Sequence, residues 1–226
     1  MKEKNMSEAF RRAILSRAEI KSVAKMRFSE NRGAMICVVL VTALISIGLS
    51  SIPLMNFVMI IGSQILSVMT SGYFLSCWRG EKPPFETFFS NCFDRFWTKV
   101  GGMLWMSLKV FLWALLFVIP GIVKTMAYFL TPYLLARYPG IEAMRASELS
   151  DRITKGYKME IFVMALSFFG WMLLSGLTFG LLHIFYVGPY METSMAGLGD
   201  ELIQNALQEG RITQEMLDGT DVPASV

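Results

Sequence analysis

From Ala34 to Pro53 the chain reads AMICVVLVTALISIGLSSIP, a run without one charged side chain. An α-helix needs about 20 apolar residues to cross a bilayer. A run of that length constrains everything else, because an uncharged helix leaves no polar face to turn toward water. Comparable runs follow at Asn56–Trp78, Val100–Ile119, Ile122–Arg137, Glu160–Thr178 and Leu181–Leu198. With 54% hydrophobic and 17% charged residues over 226 positions, the chain is too apolar for an ordinary soluble domain. The expected fold is an all-α membrane protein of about six transmembrane helices in three hairpins, with cytoplasmic interfacial amphipathic helices.

The charges between the runs set the expected orientation. Nine Lys/Arg fall in residues 1–33, four in 79–99, five in 137–158 and one after residue 200, while the three alternate turns carry essentially none. Positive charge marks the cytoplasmic side, so both termini are expected in the cytoplasm of a multi-pass plasma-membrane protein. Three segments follow: a basic amphipathic segment over 1–33, a polytopic membrane domain over 34–199, and a polar cytoplasmic tail over 200–226. The tail is expected to be helical to about Gln208 and loosely ordered after Gly210. With no small-residue cleavage site after the first apolar run, a signal peptide is not expected.

Amphipathic stretches precede each hairpin. Residues 7–28 set Phe10, Ile14, Ile20, Val23 and Ala24 among Lys and Arg, a pattern that suits an anionic membrane surface or a solvated helix. Pro83–Trp97 gathers Phe85, Phe88, Phe89, Cys92, Phe96 and Trp97 on one helical face. Ile141–Thr154 repeats small residues at four-residue intervals, Ala143/Ser147/Asp151 and Ala146/Ser150/Thr154. Ser63, Ser67 and Ser71, with Gly72 and Ser76 beside them, make a similar stripe on the second run, read as helix packing or as a pore lining. The recurrence of surface helix plus hairpin is either a structural repeat or bilayer thickness repeating itself.

Breaks are expected at Pro120 and Gly121, as a turn between two runs, at Pro132 as a kink, and at Gly188 and Pro189 in the last run. Four ionisable groups fall within apolar runs, Lys109, Lys124, His183 and Glu192, and such groups often mark a pathway. A Lys109–Glu192 or Lys124–Glu192 pair would relieve both charges, and Lys124 could instead snorkel outward beyond the Pro-Gly turn. His183 is read as an outer-turn residue.

Catalytic signatures are absent from the sequence: no GxxxxGK[ST], HExxH, GxSxG or GxGxxG occurs. One histidine cannot build a His-rich metal site, and the charge map places His183 across the membrane from Asp94 and Asp151. Cys37, Cys77 and Cys92 have no CxxC spacing. An enzyme, a cofactor, a metal and a nucleic-acid partner are therefore not expected. An intramembrane lipid enzyme lacks an acid-base pair.

With these residues laid out, LWALLFVIPGIVKTMAY from Leu112, Ser147 with the K-G-x-K of Lys155 to Lys158, SFFGWMLLSGLTFG from Ser167 and GPYMETSMA from Gly188 resemble the bacterial integral membrane family catalogued as domain of unknown function 975. After Ala196 the sequence GLGDEL departs from that pattern, where an aromatic-rich segment is more usual. A looser similarity links the IPG turn, the following Pro and the S/K-G helix to membrane domains attached to some bacterial glycerophosphodiesterases. The resemblance implies a fold and a location and carries no activity. The expected function is a non-enzymatic membrane component working through lipid or protein contacts, with anionic lipid at the cytoplasmic face and a membrane-protein or self-association partner. The alternative is a small transporter or channel with its site at the broken helices near Lys109, Lys124 and Glu192.

Overall fold

A computed structural model of the chain describes residues 16–50, 56–90, 96–116 and 118–220. Among them every regular element is helical: α1 (Arg17–Glu30), α2 (Arg32–Ser50), α3 (Asn56–Trp78), α4 (Thr87–Ser90), α5 (Phe96–Leu116), α6 (Val118–Ala127), α7 (Thr131–Arg137), α8 (Ala143–Thr154), α9 (Lys158–Leu166), α10 (Phe169–Leu177), a π-turn (His183–Val187), α11 (Gly188–Gln208) and α12 (Gln214–Asp218). The expected helix end at Ser51 and Pro53, Phe10 and Ile14 of the first segment, and Cys92 and Asp94 lie outside the described residues.

Ser16 starts α1 with a capping box, accepting from the Glu19 backbone N–H while the Glu19 carboxylate accepts from its own. The chain then turns through 95° at Asn31 into α2. Ile20, Ala24 and Phe28, spaced at four, are fully or almost fully buried, with α1 packed against α11 and Phe28 meeting the edge of the Tyr186 ring. The apolar face of α1 is thus covered by protein. Arg17 and Lys25 remain exposed, whereas Lys21 lies 4.4 Å over the Phe168 ring and Arg27 lies against Gly80.

At the centre, α3 packs against α11, α7, α2 and α5. Only the far end of its small-residue stripe is used in packing: Ser71 is buried and Gly72 faces Ala136 so closely that a Cβ would lie 2.8 Å from the alanine's. Ser63 and Ser67 are exposed. A second close approach sets Gly197 of α11 on the buried Trp78 indole, where a Cβ would lie 2.6 Å from ring carbons. Only glycine fits there without moving the indole.

The proline positions behave differently from one another, for a common reason. Proline's missing N–H matters only after the first turn of a helix. Pro120 and Gly121, expected as a turn, lie in the first turn of α6, where no N–H is required. Pro132 opens α7 after a break at Tyr128–Leu130, as the sequence indicates. Pro189 does not stop its helix. The turn before it widens into the π-turn, with the Gly188 N–H bonded to the His183 carbonyl, and α11 then runs on through Gln208.

Two expectations are corrected. The segment after Gly210 is seated rather than loose: Ile212 and Leu217 are buried, α12 is capped by the Thr213 hydroxyl, and the backbones at Gly140 and Gly219 touch. As expected, the start of the tail is helical, and α11 runs through Gln208. The Phe-rich segment also does not present one face. Phe88 is buried against Tyr73, Phe85 and Phe89, whereas Phe89 is exposed and Trp97 is 79% exposed.

Candidate functional site

The densest polar construction lies where α8 meets the gap between α6 and α7. A helix break frees backbone groups, and in apolar surroundings each needs a partner. Ser150 supplies two: its hydroxyl donates to the Ala127 carbonyl at 2.8 Å and accepts from the Leu130 N–H at 3.1 Å. Thr154 also donates to Ala127 O, at 3.1 Å, and to Ser150 O. The four-residue spacing of Ala146, Ser150 and Thr154 places these groups on one buried stripe of α8.

The neighbouring stripe meets the lysines. Lys109 Nζ donates to Ser147 Oγ at 3.1 Å and lies 5.2 and 5.5 Å from the Trp105 and Tyr128 ring centres. Lys124 lies 3.7 Å from the Asp151 carboxylate and 5.4 Å from Tyr128, while Lys158 donates to Asp151 at 2.9 Å. Both lysines therefore turn to α8, and Lys124 does not extend outward past the Pro-Gly turn. Burial raises the Asp151 carboxyl, but the hydrogen bond and charge of Lys158, aided by Lys124, bring it to a net position below the usual aspartate value. A carboxyl held down in the fold stabilises it above the ordinary aspartate range and loses that contribution as pH falls. Asp151→Asn should therefore lower stability above about pH 4, with the difference from wild type closing as the pH falls below it, read from thermal unfolding across pH; identical acid profiles would discount the network.

A serine beside a lysine invites comparison with Ser-Lys nucleophiles. Ser147 has no accessible surface, its hydroxyl donates to the Met144 carbonyl at 2.7 Å, and the lysine is its donor. The pair lacks the access and proton acceptor that a nucleophile needs.

Glu192 belongs to another neighbourhood. It follows Pro189 on α11 and faces the buried Tyr133 hydroxyl, which is hydrogen-bonded to Ser71. Among the described residues no ion pair joins it to Lys109 or Lys124. His183 opens the π-turn, with its ring beside Gly188. The sequence-expected set of four thus divides into a lysine group on α8 and a Glu192 group between α3, α7 and α11. Double-mutant cycles should reflect this: Lys109→Met with Ser147→Ala should couple by about 0.5–3 kcal/mol, and Lys109→Met with Glu192→Gln by less than about 0.5. Detergent unfolding measures both, and rescue of Lys109→Met by Glu192→Gln would restore the rejected pair.

Two further clusters carried weaker sequence signals. Arg79 forms a close ion pair with Asp200, joining the ends of α3 and α11. Arg211, the tail's lone cation, donates to the Ile153 and Arg152 carbonyls at the end of α8, to Asn205, and to Glu209. Its guanidinium lies 5.4 Å from the Tyr157 ring centre, within the K-G-x-K turn that Gly156 makes at φ +91°. An isolated Arg in an acidic tail was the available signal. Among the described residues no group of three His, Cys, Asp or Glu side chains gathers as a metal site.

No curated protein and no solved structure matches the chain. The α5 end, α6 to α10, the π-turn and the first half of α11 coincide with the region recognised by a family model. Over residues 115–198 the chain matches the family described as "Protein of unknown function (DUF975)", the family whose motifs its sequence resembles.

Proposed function

We propose that the protein is a polytopic integral membrane component, both termini cytoplasmic, acting without catalysis through lipid and protein contacts at its basic face. The observation carrying this reading is the apolar surface left uncovered by a folded bundle. Lys158–Leu177 is long and apolar enough to cross a membrane, yet only 22% of its most apolar stretch is buried. Trp171, Met172, Leu173 and Leu174 are exposed, Leu177 is 79% exposed and Phe179, at the following turn, 98%. Exposed Leu108, Phe111, Leu112, Ile122 and Val123 extend the surface onto α5 and α6. Soluble monomers rarely expose such continuous patches. By length and composition α1 with α2 makes one further candidate span as a bent pair; the other crossings are inferred from the apolar runs and the charge map.

Leu173→Asp should impair insertion, since an acid at mid-span costs about 2.5–3.5 kcal/mol. Membrane fractionation with alkaline extraction reads the result, and wild-type protein released by carbonate would sink the proposal. In a cysteine-free background, Thr178→Cys should react with an impermeant thiol reagent from outside and Asp218→Cys only after permeabilisation. The reverse pattern would invert the topology.

Glu192 supports the second reading, a small transporter or channel. A carboxyl with no cation partner among the described residues, next to a π-turn and a proline, is how intramembrane sites are built. On that reading Glu192→Gln leaves the fold intact and abolishes a proton or solute flux in proteoliposomes, whereas unchanged flux excludes it.

A further inference from the structure

The uncharged helix α3 has a polar face that its packing only partly absorbs. At about 100° per residue, Ser63, Gln64, Ser67, Thr70 and Ser71 fall within about 120° of one another around its axis. Ser63 and Ser67 are exposed, Gln64 and Thr70 partly so, and Ser71 is buried. Amides and hydroxyls are costly against lipid, so such a face calls for water or a hydrogen-bonding neighbour. Its inner end leads to an acid: Ser71 is hydrogen-bonded to the buried Tyr133 hydroxyl, and Tyr133 faces Glu192. A hydroxyl both accepts and donates, so this line can hand on a proton.

Glu192 lies deep among α3, α7 and α11 yet keeps some accessible surface, so space adjoins its carboxyl. Among the described residues no ion pair or hydrogen bond engages it. α1 and α2 meet α11 with apolar side chains, Ile20, Ala24 and Phe28 from one, Met35 and Val39 from the other. His183, which can carry positive charge, stands beside Gly188, one turn before the carboxyl. On the other side of Ser71, Gly72 closes on Ala136, and that contact borders a cavity of about 360 Å³ reaching Ser76, Glu81 and Arg137. On the charge map Ser63 lies toward the outer end of α3 and the cavity toward its cytoplasmic end.

We propose that Glu192 carries protons across the membrane, along Ser63, Ser67, Ser71 and Tyr133 on the outer side and through the cavity on the inner side, with the Gly72–Ala136 contact as the barrier between the halves. The proposal rests on the transporter reading of Glu192 and names its substrate. Each cycle returns the carboxylate, so one proton enters for each that leaves. Hard metal cations gather about six oxygens; one carboxyl and two hydroxyls fall short of that, whereas a proton needs one.

For the test, the full chain is reconstituted into liposomes that trap a pH-sensitive dye, and a potassium gradient with valinomycin drives protons inward. Wild type should carry a proton flux above that of empty liposomes, and Glu192→Gln should abolish it. Ser67→Leu and Tyr133→Phe should each cut the flux about tenfold, while Ser46→Leu, at an exposed serine of α2, leaves it unchanged. Ser67 is exposed, so Ser67→Leu carries the test where Tyr133→Phe does not fold. In intact cells and a cysteine-free background, Ser67→Cys should react with a small impermeant thiol reagent from outside. No wild-type flux, or flux that survives Glu192→Gln, would overturn the transporter reading and the proposal together. Flux that needs Glu192 but survives Ser67→Leu and Tyr133→Phe would spare that reading and overturn the path, as would a Ser67→Cys shielded from the reagent. Sodium flux at constant pH in place of proton flux would overturn the proton assignment.

Discussion

Replacing Ser150 by alanine should destabilise the protein by about 2–3 kcal/mol, although it removes a single oxygen atom. The Ser150 hydroxyl is buried and serves both sides of the gap between α6 and α7. Without it the Ala127 carbonyl keeps Thr154 as a donor, but the Leu130 N–H loses its acceptor. Leu130 has no exposed surface, so water cannot substitute without opening the packing. A stranded buried donor costs about 1–3 kcal/mol, and the hydroxyl's lost bond to Ala127 adds to that. Thr154→Val should cost less, because Ser150 still serves the carbonyl. Unfolding in detergent measures both, and a loss below about 0.5 kcal/mol for Ser150→Ala would mean that the break finds another acceptor. Ser150→Thr separates chemistry from space: it keeps the oxygen but adds a methyl to a closed site, so overpacking alone should cost about 1–3 kcal/mol.

The apolar runs were legible because they depend on one-dimensional quantities, length and the absence of charge. The run at Asn56–Trp78 is α3 end for end. Pro132 was equally readable, since its lost N–H and fixed φ act locally. Pro120 and Pro189 were not, because their effect depends on helical position and on whether the preceding turn can widen. Side-chain partners were the least legible. Opposite sign suggested Glu192 for the lysines, but a neutral hydroxyl and Asp151 on α8 are what the helix packing brings within reach. Likewise, a periodic apolar face on α1 does not specify whether lipid or α11 covers it. In the tail, two apolar residues and one arginine suffice to seat a polar segment, a minority that average composition conceals.

Arg211 should be the tail's fastening point, and Arg211→Ala is expected to cost about 2–3 kcal/mol while releasing the final helix. Its guanidinium donates to two carbonyls in the last turn of α8, where helices leave their carbonyls without partners and the dipole favours a cation. The same group holds Asn205 and Glu209 at the end of α11, and Tyr157 donates to both from below. The ends of α8 and α11 thus lock to the tail through one side chain. Because it is partly open to water, the loss should fall short of a sum over charged hydrogen bonds at about 1.5–3 kcal/mol each. Arg211→Lys should recover little, since an ammonium cannot bridge the α8 carbonyls and the Asn205 and Glu209 side chains with one planar fork. Ile212 and Leu217 lose their seat when the fastening is removed, so limited proteolysis should cut between Gly210 and Gly219 in the variant and spare the wild type. Equal protection of both proteins, with unchanged unfolding, would mean that Ile212, Leu217 and the Gly140–Gly219 contact hold the tail without the arginine.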